Sequence, residues 1–185
     1  MPISCDATYF KEMGHSDIKQ NAQLLQENIK SLHAHGELQN PDKQVEAYLR
    51  GVPECDNTKI FALYGKIKKD KNTRKKETIM AFAAVEKKKI RSGISTRGRI
   101  RPDTYCHYVM YVKALVRKQG YGTKVMEQTL SAIKKWTRVA ATTEVFEMKG
   151  VSPGDVILDA KPEIHPFYNK LGFHKLQGTT MIRNT

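Results

Sequence analysis

Tyr111-Val-Lys-Ala-Leu-Val-Arg-Lys-Gln-Gly-Tyr-Gly-Thr-Lys-Val-Met126 decides how the chain is read. Its first residues close a run, Thr104 to Leu115, that is rich in β-branched and aromatic residues and long enough for a central strand. Its last residues open an amphipathic helix, with Val125, Met126, Leu130, Ile133 and Trp136 on one side and Lys124, Gln128, Lys134 and Lys135 on the other. Between the two stands Arg117-x-x-Gly120-x-Gly122. Closely spaced glycines let a backbone turn tightly and approach a ligand, and the helix that follows offers unsatisfied N–H groups and the positive end of its dipole. Strand, glycine turn and helix together make an anion site, most naturally for a pyrophosphate. The Walker A loop and the dinucleotide fingerprint both fail here. The first needs Gly-Lys-Ser/Thr, and the second needs a glycine where Val125 stands.

Working upstream, Ser16 precedes Ile18, Ala22, Leu25, Ile29 and Leu32, which line one helical face until Gly36. Asn40-Pro41 opens a second, short helix with Val45, Tyr48 and Leu49 inward and Gly51 as its stop. Lys59 to Ile67, Thr78 to Glu86 and Thr104 to Leu115 read as three antiparallel strands. Downstream of a link at Gly150 to Gly154 come a short strand, Val156 to Leu158, and a helix from about His165 to Leu171 that Gly172 stops. Strands around Phe173 to Leu176 and Thr180 to Arg183 follow. With 185 residues, no repeat and no linker, one domain over residues 1–185 is expected.

The context of the glycine turn resembles the acetyl-CoA pyrophosphate loop of the GNAT superfamily of N-acyltransferases. Lys118-Gln-Gly-Tyr-Gly-Thr-Lys-Val-Met126 is especially similar to the version in its histone-acetylating branch. A second motif follows, Phe167-Tyr-Asn-Lys-Leu-Gly-Phe173, which resembles that family's Phe-Tyr-x-Lys-Leu-Gly-Phe signature. The order of elements matches over nearly the whole chain. The resemblance implies an α/β (α+β) GNAT fold, a mixed, mostly antiparallel twisted sheet of about seven strands flanked by about four helices, splayed between the fourth and fifth strands. Acetyl-CoA is the implied co-substrate, with no metal.

The same resemblance implies a set of sites. Pantetheine would lie in the splay between Tyr111–Ala114 and Val156–Leu158, with the backbone of Val112 facing the thioester carbonyl, where an oxyanion needs a donor. The backbone of Arg117, Lys118, Gln119, Gly120, Tyr121, Gly122 and Thr123 would hold the pyrophosphate, and the Arg117 and Lys118 side chains would add charge. Lys170 of the second motif joins the cofactor-binding set. Tyr168 matches the family tyrosine that protonates the departing CoA thiolate.

A lysine-like acceptor is protonated at pH 7 and must lose a proton before attack. The histone-acetylating branch uses a glutamate on the fourth strand, whereas Thr104 to Leu115 contains no carboxylate. Cys106, His107, Tyr108 and Tyr111 are the titratable candidates there, and of these His107 has the most suitable intrinsic pKa. Glu163 and His165 are further candidates, as is a water chain to solvent.

The formal net charge is +13, and its distribution matters more than its size. Lys66 to Lys76 and Lys87 to Arg101 each hold seven Lys/Arg, with one acid between them; taking these from the totals of 32 and 19 leaves the rest of the chain balanced. Read as loops or strand ends around Thr78 to Glu86, these stretches suit an acidic partner or nucleic acid; the bland alternative is a solvated surface. Three cysteines, Cys5, Cys55 and Cys106, give no disulfide framework or metal knuckle and are expected as free thiols. Without a long apolar run or an apolar leader, the expected place is intracellular, cytoplasm or nucleus, with no membrane. Two classes of function compete. One is an N-acetyltransferase of a primary amine, either a protein lysine as in histones or a small amine such as a polyamine or amino sugar. The other is a basic nucleic-acid-binding module on the same fold with little or no catalysis.

Overall fold

The computed structural model describes residues 5–34, 58–67, 76–90, 103–112, 118–136, 145–146, 151 and 154–184. Among them the sheet contains β1 (Cys5–Glu12), β2 (Thr58–Ile67), β3 (Lys76–Ile90), β4 (Asp103–Val112), β5 (Val145–Phe146), β6 (Val156–Asp159), β7 (His174–Gln177) and β8 (Thr180–Arg183). The helices are α1 (His15–Ala34), α2 (Tyr121–Ile133) and α3 (His165–Lys170), the last preceded by a 3-10 turn at Pro162–Ile164. The expected helix at Asn40 to Gly51 lies outside the described residues.

The sheet runs β1-β2-β3-β4-β6-β8-β7, with β5 on β3. All ladders are antiparallel except β4 with β6 and β3 with β5. β3 is buried from Ile79 through Lys87. A strand covered on both faces reads as a continuous apolar run rather than an alternating one. On one face α2 packs Val125, Met126, Leu130 and Ile133 against Phe61, Leu63, Ala81 and Val85. On the other, Met13, Ile18 and Leu25 of the α1 region cover Ile60, Ala62, Phe82 and Ala84. The mixed, mostly antiparallel sheet expected from the sequence is therefore the sheet observed.

Three boundaries differ from expectation. α1 begins at His15 rather than after Ser16, because Asp17 accepts a hydrogen bond from the Gly14 N–H at 3.0 Å and so caps the helix from within its first turn. β4 begins at Asp103, which gives the strand a carboxylate at its far end, opposite Ile90. The third difference concerns the basic stretches, whose inner ends turn out to be strand ends. β3 extends in both directions beyond Thr78–Glu86, so Lys76 and Lys87 to Ile90 are strand, not loop. Lys87 is only 5% exposed. A run of lysines reads locally as solvated, but pairing of Lys87 with Cys106 and of Ile90 with Asp103 carries the ladder through it. Residues 68–75 and 91–101 of those stretches lie outside the described residues.

Candidate active site

β4 and β6 run parallel, and their ladder is two pairs long, Cys106 with Val156 and His107 with Ile157. Beyond it the strands part company. β4 continues to Val112, paired with β3 as far as Ala81, while Leu158 and Asp159 of β6 continue paired with Met181 and Thr180 of β8. Among the described residues nothing pairs with the edge of β4 from Tyr108 to Val112, which therefore faces a gap in the sheet. Parallel strands leave slanted N–H and C=O groups along such an edge, a template for another extended chain. Val112, expected beside the thioester, is the last residue of β4 and stands on this open edge.

The glycine turn leads into α2. Gly120 has φ 80°, a left-handed conformation, and Lys118 shares that region at φ 65°. An ideal Cβ on Gly120 would meet nothing within 4 Å, so glycine is required by the backbone twist and not by crowding within the protein. The first helical bond runs from the Lys124 N–H to the Gly120 carbonyl, 3.0 Å. The N–H groups of Tyr121, Gly122 and Thr123 thus precede the helical ladder. α2 has no side-chain cap and no acid in its first turn. No acidic side chain of its own first turn therefore offsets the positive end of its dipole. Lys118, Gln119 and Gly120 are exposed, while Gly122 is buried against the core. Arg117 lies outside the described residues.

Tyr168 is held by the geometry of its own motif. α3 ends in a paired closure: the Phe173 N–H donates to the Tyr168 carbonyl at 3.1 Å and the Gly172 N–H to the Asn169 carbonyl at 3.0 Å. Gly172 has φ 84°, as this helix end demands. The closure folds Phe173 back onto Tyr168, edge to face at 5.9 Å, and Phe167 meets the same ring at 5.0 Å. The signature Phe-Tyr-x-x-Leu-Gly-Phe is thus a device for fixing one phenol. Tyr168 shares a core cluster with Val156 and Leu158 of β6 and Val125 of α2, on the α2 face of the sheet. Burial raises its pKa above the ordinary 10.0, so the hydroxyl keeps its proton throughout the neutral range.

The remaining candidates fall in different places. His165 lies at the first residue of α3, its Nε2 3.0 Å from the Ala160 carbonyl; a carbonyl only accepts, so this nitrogen carries the proton. That bond ties α3 to the end of β6. Glu163 and Lys170 are exposed. Register sets His107 opposite Glu86 of β3. Nothing in the sequence singles out Glu86 as a candidate. Only pairing shows that it neighbours His107, and the charge run that begins at Lys87 hides the strand.

A family profile described as an acetyltransferase (GNAT) domain matches residues 76–175. The chain belongs to the GNAT family. Solved structures agree at the level of fold. An acetyltransferase of Trypanosoma brucei is 18% identical, with TM-score 0.51, over 93% of this chain and 96% of that one. NAA60 of Arabidopsis thaliana, solved in complex with acetyl-CoA, is 11% identical with TM-score 0.55 over 95% of both chains. The PaiA N-acetyltransferase of Thermoplasma acidophilum, solved with coenzyme A, is 12% identical with TM-score 0.52 over 97% of this chain and all (100%) of that one. A search of curated proteins found no match. Among the described residues of this GNAT protein, no helix is long and apolar enough to cross a membrane.

Proposed function

We propose that this GNAT protein is an acetyl-CoA-dependent N-acetyltransferase that acts on a primary amine by direct attack in a ternary complex, as one domain working inside the cell. One observation carries the reading: the gap between β4 and β6 lies in a sheet that also carries an uncapped helix N-terminus at Gly120 and the buried phenol of Tyr168. Two of the structures similar in fold were solved with acetyl-CoA or coenzyme A, which supports the same ligand here.

Acetyl-CoA supplies an activated thioester. The N–H groups of the turn from Lys118 to Thr123 hold its pyrophosphate, with Arg117 and Lys118 adding charge. The open edge of β4 takes the pantetheine as an added strand, and the Val112 N–H stabilises the oxyanion. Tyr168 gives the departing thiolate a proton and regains one from solvent. The ammonium loses one proton before attack and the new amide nitrogen a second on collapse, so the reaction releases one proton overall. The nitrogen–carbon bond forms first, giving the oxyanion, and the carbon–sulfur bond breaks as it collapses; no enzyme group is acylated.

The acceptor we favour is a protein lysine, because the glycine turn is similar to that of the histone-acetylating branch. A polyamine or amino sugar is the alternative. Exposed Lys66 and the rest of the two basic stretches, apart from buried Lys87, would then recruit an acidic assembly or nucleic acid. An acceptor screen decides: acetyl-CoA with histone-tail peptides, spermidine or glucosamine, read by mass spectrometry and by release of free thiol. A mass gain of one acetyl group on one class is expected. Binding of nucleic acid, with no thiol released from acetyl-CoA in the presence of any of the amines, would favour a binding module instead.

A further inference from the structure

Tyr9 of β1 and Tyr64 of β2 stand opposite one another in the ladder, with ring centres 5.1 Å apart and planes within 10° of parallel. Tyr64 is buried in the cluster on the α1 face and fixes the inner side of the stack. Tyr9 lies on the edge strand and is 47% exposed. Among the described residues, Ile164 is the other large apolar or aromatic side chain left this open to solvent. The Tyr9 hydroxyl donates a hydrogen bond to the Glu77 carboxylate. Stacked on one side and bonded at its tip, the ring is held in place with its outer side toward solvent. Asp17 is paired with Lys11 at 2.8 Å, and Glu77 stands opposite Lys66, so each of these acids has a base facing it. The surroundings of the ring suggest its partner. Three residues of β2 separate Tyr64 from Ile67, which places the stack about 10 Å from the end of the β2–β3 ladder, where the stretch Lys66 to Lys76 begins and ends. By sequence that stretch holds seven Lys/Arg and one acid. A fixed aromatic surface beside dense positive charge suits single-stranded nucleic acid, whose unpaired bases stack while its phosphates meet the cations. A duplex hides the faces of its bases and uses the charge alone.

We propose that this edge of the sheet binds single-stranded nucleic acid, with one unpaired base stacked on the outer side of Tyr9 and the neighbouring phosphates met by the positive charge that begins at exposed Lys66. The inference rests on the reading of the basic stretch as a recruiting surface and is independent of acetyl transfer. Tyr64 acts through Tyr9, as the support that keeps the ring from turning away when a base arrives. Register also relates this surface to the gap. Phe10, Leu63, Ala81 and Val112 form one row across β1, β2, β3 and β4, and Tyr9 adjoins that row. Three strand spacings, about 15 Å, separate the stack from Val112, so a bound strand lies at the end of the sheet where β4 is open.

The full chain is compared with Tyr9→Ala, Tyr9→Phe and the combined variant Lys66→Gln, Lys68→Gln and Lys69→Gln. The probes are a labelled oligothymidylate, a DNA duplex of the same length and polyglutamate, read by fluorescence anisotropy over a range of salt. The wild type should bind the single strand more tightly than the duplex or polyglutamate at equal salt. Tyr9→Ala should weaken the single strand by about five- to a hundred-fold and leave duplex affinity and both salt slopes within about twofold. Tyr9→Phe keeps the ring and should stay close to wild type. The lysine variant should weaken strand and duplex alike and flatten both slopes. Ultraviolet cross-linking of the wild-type complex should place an adduct on the peptide that holds Tyr9, a readout that needs no variant to fold. A single strand bound no better than duplex or polyglutamate, a Tyr9→Ala variant with unchanged single-strand affinity, or cross-links that avoid the Tyr9 peptide would each overturn the stacking surface while the basic stretch keeps its recruiting role. Failure of the wild type to bind any of the three polyanions would remove that role, and the proposal with it.

Discussion

The ammonium of Lys87 donates a hydrogen bond to the carbonyl of Trp136 and lies 5.2 Å from the centre of the same residue's ring. Lys59, which also pairs with Glu12 at 2.7 Å, approaches that ring to 5.3 Å. Two cations thus converge on the residue just past the end of α2. A cation near the last carbonyls of a helix is favourable, and a charge-assisted bond in a dry setting is stronger than a neutral one. Lys87→Ala should therefore cost about 2 kcal/mol in urea unfolding, through removal of the bond and of the packing of its stem, and Lys87→Met about half of that. Unchanged stability of the alanine variant would show the interaction to be incidental.

Tyr168→Phe should leave acetyl-CoA affinity nearly unchanged and lower turnover by about ten- to a thousand-fold when chemistry limits the rate. The phenol has a further effect on stability. Burial raises the pKa of Tyr168 above 10.0 and pushes that of Tyr64 up to about 12. Both hydroxyls bind their proton more tightly in the folded state, so their contribution is intact below about pH 10 and declines as pH rises above it. The decline is up to about 1.4 kcal/mol per pH unit for each tyrosine. Tyr168→Phe should flatten that alkaline decline in equilibrium unfolding measured between neutral and high pH.

How much of this is legible in the sequence depends on whether the signal is local. Gly120-x-Gly122 before the Val125/Met126 stripe, and Gly172 after Tyr168, announce a turn and a helix end through backbone conformations that few other residues accept. The strands at Lys59, Thr78 and Thr104 are visible through composition. Glu86, Lys87 and β5 are not, because each is defined by partners far away in sequence. Lys87 looks solvated until Trp136, 49 residues on, is seen beside it. Val145 and Phe146 form a strand only because Lys89 and Ile90 offer an edge beyond the end of β2.

Gly120→Asp should abolish acetyl-CoA binding while leaving the fold intact. Aspartate tolerates left-handed backbone better than most residues, and the space around this position is open, so the strain costs only about 1 kcal/mol. A negative charge at the mouth of the N–H cluster, by contrast, opposes a pyrophosphate directly. Calorimetry showing wild-type affinity in the folded variant would remove the turn from the site.

Neutralising Lys66 to Lys76 and the residues from Lys88 to Arg101 should weaken binding to duplex DNA or another polyanion. Each phosphate that the protein no longer neutralises flattens the log–log salt slope by about 0.9. Lys87 is left out because it is buried, and its removal should register in stability and not in the salt slope. Turnover on a small amine should survive the neutralisation; its disappearance with acetyl-CoA binding intact would place these stretches in the acceptor cleft.

The two-pair ladder between β4 and β6 also bears on how the molecule holds together. Cut there, the sheet divides into β1 to β4 with β5 on one side and β6, β8 and β7 on the other, and among the described residues only the pairs Cys106–Val156 and His107–Ile157 join the two parts of the ladder. A ligand seated along the edge of β4 would act as a keystone. Without it, the smaller block opens as a local unit at less than the full unfolding free energy, and with it the two blocks melt as one. Amide hydrogens in β6 and β8 should then exchange faster than those of β3 in the free protein and slow sharply on saturation, making cooperativity itself a property that the substrate confers.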